Sequence, residues 1–169
     1  MARPVCIRKP SAPRRSGQTF GKSMSDLLQA IFTGWGWKIG KPVEVVATNQ
    51  FGNAIVRNEG GSYFRIIPEE WQCELIATSA AELEAKRKTE EFIRDWEMTA
   101  LVCRAEAAHG PLAEGQVYCL VIPGLLGGKY SEENIRKISL QEALSYCGDM
   151  AHQMENVPDG TEVKIVLKE

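Results

Sequence analysis

Three β-rich runs, Val43-Glu44-Val45-Val46-Ala47, Ala54-Ile55-Val56-Arg57 and Ser62-Tyr63-Phe64-Arg65-Ile66-Ile67, decide the fold class. The segments between them, Asn49-Gln50-Phe51-Gly52-Asn53 and Asn58-Glu59-Gly60-Gly61, carry turn chemistry. After the breaker Pro68, residues 73–77 read as a fourth strand. Short connections join the runs, so the expected unit is an antiparallel meander.

Helical periodicity begins on either side of it. Upstream, Ser25 and Asp26 can cap a short helix carrying Leu27, Leu28, Ile31 and Phe32 and ending near Gly34. Downstream, Ser79 with Glu82 forms a capping box for a helix running to about Lys88. A second helix is expected from Thr89, its cap, to His109, where Gly110-Pro111 stops it. Its apolar stripe is Phe92, Trp96, Ala100, Cys103 and Ala107. Strands are expected at 116–122 and 134–138. A C-terminal helix follows, with Leu140, Leu144, Cys147, Ala151 and Met154 on one stripe. Pro158-Asp159-Gly160 then turns the chain into a last strand at 162–167. This order predicts an α+β single domain with a largely antiparallel sheet, the meander plus the C-terminal strands, covered by helices.

The chain has 169 residues, 44% hydrophobic and 25% charged, which suits one globular domain and excludes collagen-like, coiled-coil and wholly disordered classes. At this size folding buries roughly 70% of the accessible surface, enough for a self-sufficient core. No apolar run approaches the ~18 residues of a membrane span. The five cysteines (Cys6, Cys73, Cys103, Cys119, Cys147) never form a C-x-x-C pair and read as reduced thiols of a cytoplasmic protein. Charge is spread unevenly. Residues 1–23 hold six Lys and Arg and no acid, so they read as a disordered basic tail, most simply a dispensable extension ahead of Met24. Residues 24–169 hold 14 Lys and Arg against all 22 Asp and Glu, a net charge of −8. An acidic body argues against nucleic acid as a direct ligand.

Catalytic patterns fail one by one. Gly127-Gly128-Lys129 lacks both the upstream glycine of a phosphate-binding loop, where Pro123 stands, and the Ser or Thr after the lysine, where Tyr130 stands. Gly34-x-Gly36-x-x-x-Gly40 follows a helix, not a strand, which is wrong for a dinucleotide. Two histidines, His109 and His152, are too few for a local zinc site. Ser145, Asp149 and His152 share one helix face, but Ser and His there lie about 10 Å apart along the axis. Cys147 falls on the apolar stripe. Trp35, Trp37 and Trp71 read as core aromatics. The expectation is a non-enzyme with no cofactor and no metal.

Three stretches taken together carry a resemblance. They are Trp35-Gly36-Trp37 with Lys41-Pro42-Val43-Glu44-Val45-Val46 and Phe51-Gly52-Asn53; then Gln116-Val117-Tyr118, Pro123, Leu126-Gly127-Gly128-Lys129-Tyr130 and Glu133-Asn134; and Gly148-Asp149-Met150-Ala151-His152-Gln153 through Val157-Pro158-Asp159-Gly160-Thr161. In this order and spacing they resemble the bacterial family named for the C-terminal domain of a type VI secretion immunity protein, which protects its owner against a DNA-degrading effector. The similarity spans roughly residues 24–166. The resemblance implies a cognate effector toxin as partner, expected to be a nuclease, and no catalytic residues. An inhibitor at −8 would be steered toward the basic groove of such a nuclease. The acids expected to meet it are Glu90, Glu91, Asp95 and Glu97 on the second helix, with Glu132 and Glu133 after the Gly-Gly loop. Two alternatives stay open. One is a non-catalytic bacterial interaction module unrelated to immunity. The other is a small-molecule enzyme, which would need a deep polar pocket holding Asp149 and His152.

Overall fold

The computed structural model describes residues 5–8, 24–158 and 160–166. The other positions of the basic tail, 1–4 and 9–23, lie outside the described residues. Within that tail Val5–Arg8 is a strand, β1. The helix α1 then spans Met24–Ile39, with Asp26 in its first turn. It does not end near Gly34 as its glycines suggest. It runs on through Gly34 and Gly36 and stops at Gly40, whose φ of +74° leaves the helical region.

The meander is present as expected: β2 (Pro42–Thr48), β3 (Ala54–Asn58), β4 (Tyr63–Ile67) and β5 (Gln72–Ala77) pair antiparallel in sequence order. Alternation sends its side chains to two opposite faces. On one face Ala54, Val56 and Ile66 pack with Ile31, Trp35 and Ile39 of α1 and with a C-terminal helix. On the other, Ile55, Tyr63 and Ile76 pack with Leu83 and Phe92 of the next two helices. The meander is therefore covered on both sides, and β3 is buried on both.

Those two helices are α2 (Ala80–Arg87) and α3 (Glu90–Glu97). Ser79 Oγ accepts from the Glu82 amide as the capping box requires, while the Glu82 carboxylate accepts from the amide and hydroxyl of Thr78. Thr89 caps α3 through the Phe92 amide. The single helix expected over 89–109 is broken. Met98 adopts φ +48°, and a separate helix α4 (Thr99–His109) begins after it. Asn49 Nδ2 donates to the Trp96 carbonyl at 2.7 Å, satisfying an acceptor left open at the end of α3. The break re-aims the stripe. Phe92 faces the meander, but α4 buries Leu101 and Ala105, while Ala100, Cys103 and Ala107 are exposed.

Strands β6 (Gln116–Leu120) and β7 (Ile135–Ser139) pair antiparallel, and with α4 they enclose a second core of Phe51, Leu101, Ala105, Tyr118, Leu120 and Ile135. Helix α5 (Leu140–Met154) follows, its Leu144, Cys147 and Ala151 buried as the periodicity predicts. It packs along α1, where Gly34 and Gly148 bring the two backbones together. The last strand, β8 (Val163–Val166), pairs in parallel with β1. The architecture is α+β, with one correction. Of the C-terminal strands, β6 and β7 pair with each other and β8 pairs with β1, and none of them extends the meander. Among the described residues no helix is long and apolar enough to cross a membrane.

Candidate functional site

The expected interface helix, α3, is short and buries only Phe92. What fixes it to the meander is a buried polar chain that begins in the turn after β2. Asn53, Arg65 and Glu69 are all nearly inaccessible. The Asn53 amide lies between the other two, its Oδ1 accepting from Arg65 Nε and Nη2 at 3.1 and 2.7 Å. Its Nδ2 donates to Glu69 Oε1 and Oε2 at 2.9 and 2.8 Å. A guanidinium only donates and a carboxylate only accepts, so an amide is the side chain that satisfies both at once. Arg65 then reaches outward. Its Nη1 donates to Asp95 on α3, and its guanidinium lies 5.7 and 5.6 Å from the ring centres of Phe92 and Trp96.

Above this anchor is an open groove of about 1160 Å³. It is lined by α3, the start of α4, Lys86 of α2 and Tyr130, together with Arg65 and Glu74 of the sheet. Of the acids expected at the interface, Glu90, Glu91, Asp95 and Glu97 are exposed on α3 and line this groove. Asp95 is also the partner of Arg65, so its first role is to hold the helix. Glu132 and Glu133 do not line the groove. They sit in a 3-10 turn (Glu132–Asn134) against α4, where His109 Nε2 meets the Glu132 carbonyl at 2.8 Å. Hydrogen bonding to the Ser131 side chain holds the exposed Glu133 carboxyl below its ordinary range.

The sequence reading above places Asn53 in a turn and Arg65 in a strand and gives neither of them, nor Glu69, a part in the site. The available signal was Arg65 itself, a lone charge inside the apolar run Tyr63–Ile67. Burial pushes the Glu69 carboxyl up to about 6, against the Asn53 hydrogen bond and the Arg65 charge that lower it. The folded value lies above the unfolded 4.5, so the folded state takes up this proton first and stability rises as pH falls through 6. Relative to Glu69→Gln, which does not titrate, the wild type is expected to gain about 2 kcal/mol between neutral pH and 4.5. Urea unfolding of both proteins across that range checks it. A constant difference would mean the carboxyl titrates normally.

The patterns set aside above have structural roles. Cys147 is buried, and the hydrogen bond with Cys119 together with burial raises its thiol well above the usual range. His152 stacks on Trp37 at 4.5 Å, and Asp149 accepts from Gln153 at 2.8 Å. Neither lines the groove. Gly127 has φ +79°, and a side chain at Gly128 would overlap the Ile122 carbonyl, so both glycines serve the turn. Among the described residues no group of three or more His, Cys, Asp or Glu converges on a point that could hold a metal.

The resemblance read from the sequence holds over part of its expected span: residues 77–151 match the family described as T6SS immunity protein Tdi1, C-terminal. The match begins at the end of β5 and closes within α5, leaving most of the meander outside it. No curated protein matches. Among solved structures, the crystal structure of Atu4351 from Agrobacterium tumefaciens is similar, with a TM-score of 0.49 and 18% identity over 74% of this chain. The alignment spans 63% of that chain.

Proposed function

We propose that this chain, whose residues 77–151 match an immunity-protein family, binds a cognate type VI secretion effector in the cytoplasm and neutralises it by non-covalent occlusion. The observation that carries the reading is where the match falls. Every residue lining the groove except Arg65 and Glu74 lies inside 77–151. The effector is a nuclease on this reading. A protein that grips a polyanion presents basic surface, and the −8 body with Glu90, Glu91 and Glu97 on one short helix suits such a surface. The interface should bury about 1,600 Å² around a few packed anchors. The chain itself engages no nucleic acid and performs no catalysis. Residues 24–169 are the binding unit.

A pull-down from the native host with the full chain, followed by mass spectrometry and expression of the recovered partner, tests this. A stoichiometric partner that is toxic alone and harmless beside this chain supports immunity. A stoichiometric harmless partner favours an interaction module unrelated to toxin immunity, and no partner overturns both. Charge steering has its own expected outcome. Reversing Glu90, Glu91 and Glu97 to Lys should slow association on the order of tenfold at low salt, with the difference shrinking as salt rises. Asp95 is left out of the set because it bonds Arg65. An association rate that does not change removes α3 from the interface.

A further inference from the structure

Two thiols from separate elements meet between β6 and α5. Strand alternation sends Tyr118 and Leu120 of β6 into the second core with α4, so Val117 and Cys119 project to the opposite face. A side chain at Gly52 would touch both Val117 and Leu140, which places α5 on that face. Cys147 of α5 is fully buried, and its thiol is hydrogen-bonded to that of Cys119. The contact is one link of a directed chain. The Trp71 indole N–H donates to the Cys147 sulfur, the Cys147 S–H donates to the Cys119 sulfur, and Cys119 Sγ donates to the Leu120 carbonyl at 3.4 Å. Trp71 is fixed in its turn, its backbone at φ +52° and its buried ring edge-on to Tyr146. The fold therefore holds the two sulfurs facing one another.

The two thiols are not equivalent. Cys119 is half-buried, whereas Cys147 is closed off from solvent. The hydrogen bond from Cys147 holds the Cys119 thiol below its ordinary range, while the same bond and burial raise Cys147 well above it. The first set of properties suits a sulfur that meets a small oxidant, and the second a sulfur that resolves the product. Cys73 is unsuited to either part, because burial pushes its thiol up to about 12. With hydrogen peroxide the chemistry balances in two steps. The Cys119 thiolate attacks one peroxide oxygen, the O–O bond breaks, and the departing hydroxide takes up a proton as water, leaving a sulfenic acid. The Cys147 sulfur then attacks the Cys119 sulfur, the S–O bond breaks, and the hydroxide leaves as water with the Cys147 proton. Two thiols and one peroxide become one disulfide and two waters.

We propose that Cys119 and Cys147 are a reversible redox clip: a hydroperoxide joins them in a disulfide that ties β6 to α5, and a dithiol reductant releases it. The clip stands on the contact between the two sulfurs and is independent of the immunity reading. Cytosolic disulfides are transient and redox-sensing, so in a reducing compartment the clip opens again once the oxidant is spent. The full chain carrying Cys103→Ser, which removes a competing exposed thiol, is treated with hydrogen peroxide while folded and reduced, then mapped by peptide mass spectrometry. Expected is a disulfide between positions 119 and 147 of one chain, lost again on addition of dithiothreitol. Cys147→Ala should stop the reaction at a sulfenic acid on Cys119, trapped by dimedone, and Cys119→Ala should leave Cys147 unmodified. Amide exchange in β6 should slow on the order of tenfold in the oxidised chain. Should either alanine variant fail to fold, the mapping still decides, because the Cys103→Ser chain keeps both cysteines. Peroxide that leaves both as thiols, or takes Cys119 to a sulfinic acid with no link, overturns the clip. So does a link that forms only in urea-unfolded protein. A link without slower exchange overturns the tie between β6 and α5.

Discussion

Gly148→Ala is expected to lower the unfolding free energy by about 3 kcal/mol, at the severe end of overpacking by a single methyl group. A Cβ built there lies 2.5 Å from the Gly34 carbonyl oxygen and 2.7 Å from its Cα. Both are backbone atoms, which no rotamer change can move. The contact is reciprocal: a Cβ on Gly34 would stand 2.7 Å from the Leu144 carbonyl and 2.8 Å from that of Ser145. The methyl group must therefore push α1 and α5 apart. That loosens the 2.8 Å bond from Trp35 Nε1 to the Leu144 carbonyl and opens a gap beside Ile31, Cys147 and Met150, all fully buried. Better helix propensity offsets about 1 kcal/mol of this, too little to change the sign. Gly36→Ala supplies the contrast. The three atoms nearest its Cβ all belong to the Phe32 ring, the first at 2.8 Å, and Phe32 is an exposed side chain that can swing away. There the propensity gain should dominate, leaving the variant neutral or up to about 1 kcal/mol more stable. Urea unfolding followed by tryptophan fluorescence measures both. Equal effects at the two positions would mean that α1 and α5 do not meet through Gly34 and Gly148.

The same glycines show where sequence reading runs out. Local chemistry carried the meander, because alternating β-branched runs and turns containing Asn and Gly act within a few residues of one another. It also carried the Ser79 and Thr89 caps. A glycine inside a helical pattern reads locally as a stop. Gly34 is in fact the site where a helix more than a hundred residues away makes closest approach, and no window around α1 contains that helix. The bend at Met98 has the same origin. A methionine at φ +48° carries no turn signal, and the amide that satisfies the end of α3 comes from Asn49. The parallel pairing of β1 with β8 joins opposite ends of the chain and is equally invisible to local pattern. For the candidate site, reading α3 as a helix with four exposed acids was possible from spacing alone. That Asp95 is bonded inward was not, because its partner Arg65 lies in β4 and has no local reason to be buried.

Asn53→Leu is expected to have a larger effect still, a loss of about 3–5 kcal/mol, because it strands two buried charges with one substitution. Leucine fills nearly the same space, so no large cavity enters the comparison and what changes is polarity. In the wild type the amide presents oxygen to Arg65 and nitrogen to Glu69, aligning its dipole between cation and anion. Without it Arg65 keeps Asp95 and the faces of Phe92 and Trp96, but its Nε and Nη2 lose their acceptor. Glu69 loses the hydrogen bonds that most oppose its desolvation, so its carboxyl, already pushed up to about 6, should rise further. The sign of the pH response follows. A carboxyl raised above its unfolded 4.5 destabilises the fold fully at high pH and less as protonation removes the stranded charge. The gap between wild type and variant should therefore narrow on acidification from neutral pH toward 4.5, opposite to the loss expected when an exposed salt bridge is protonated. Hydrogen exchange should locate the damage in α3 as well, since Arg65 is the group through which the buried chain reaches that helix. Denaturant unfolding against pH decides the matter. A loss under about 1 kcal/mol that does not change with pH would mean that water replaces the amide and that α3 is held by Phe92 and Trp96 without the buried chain.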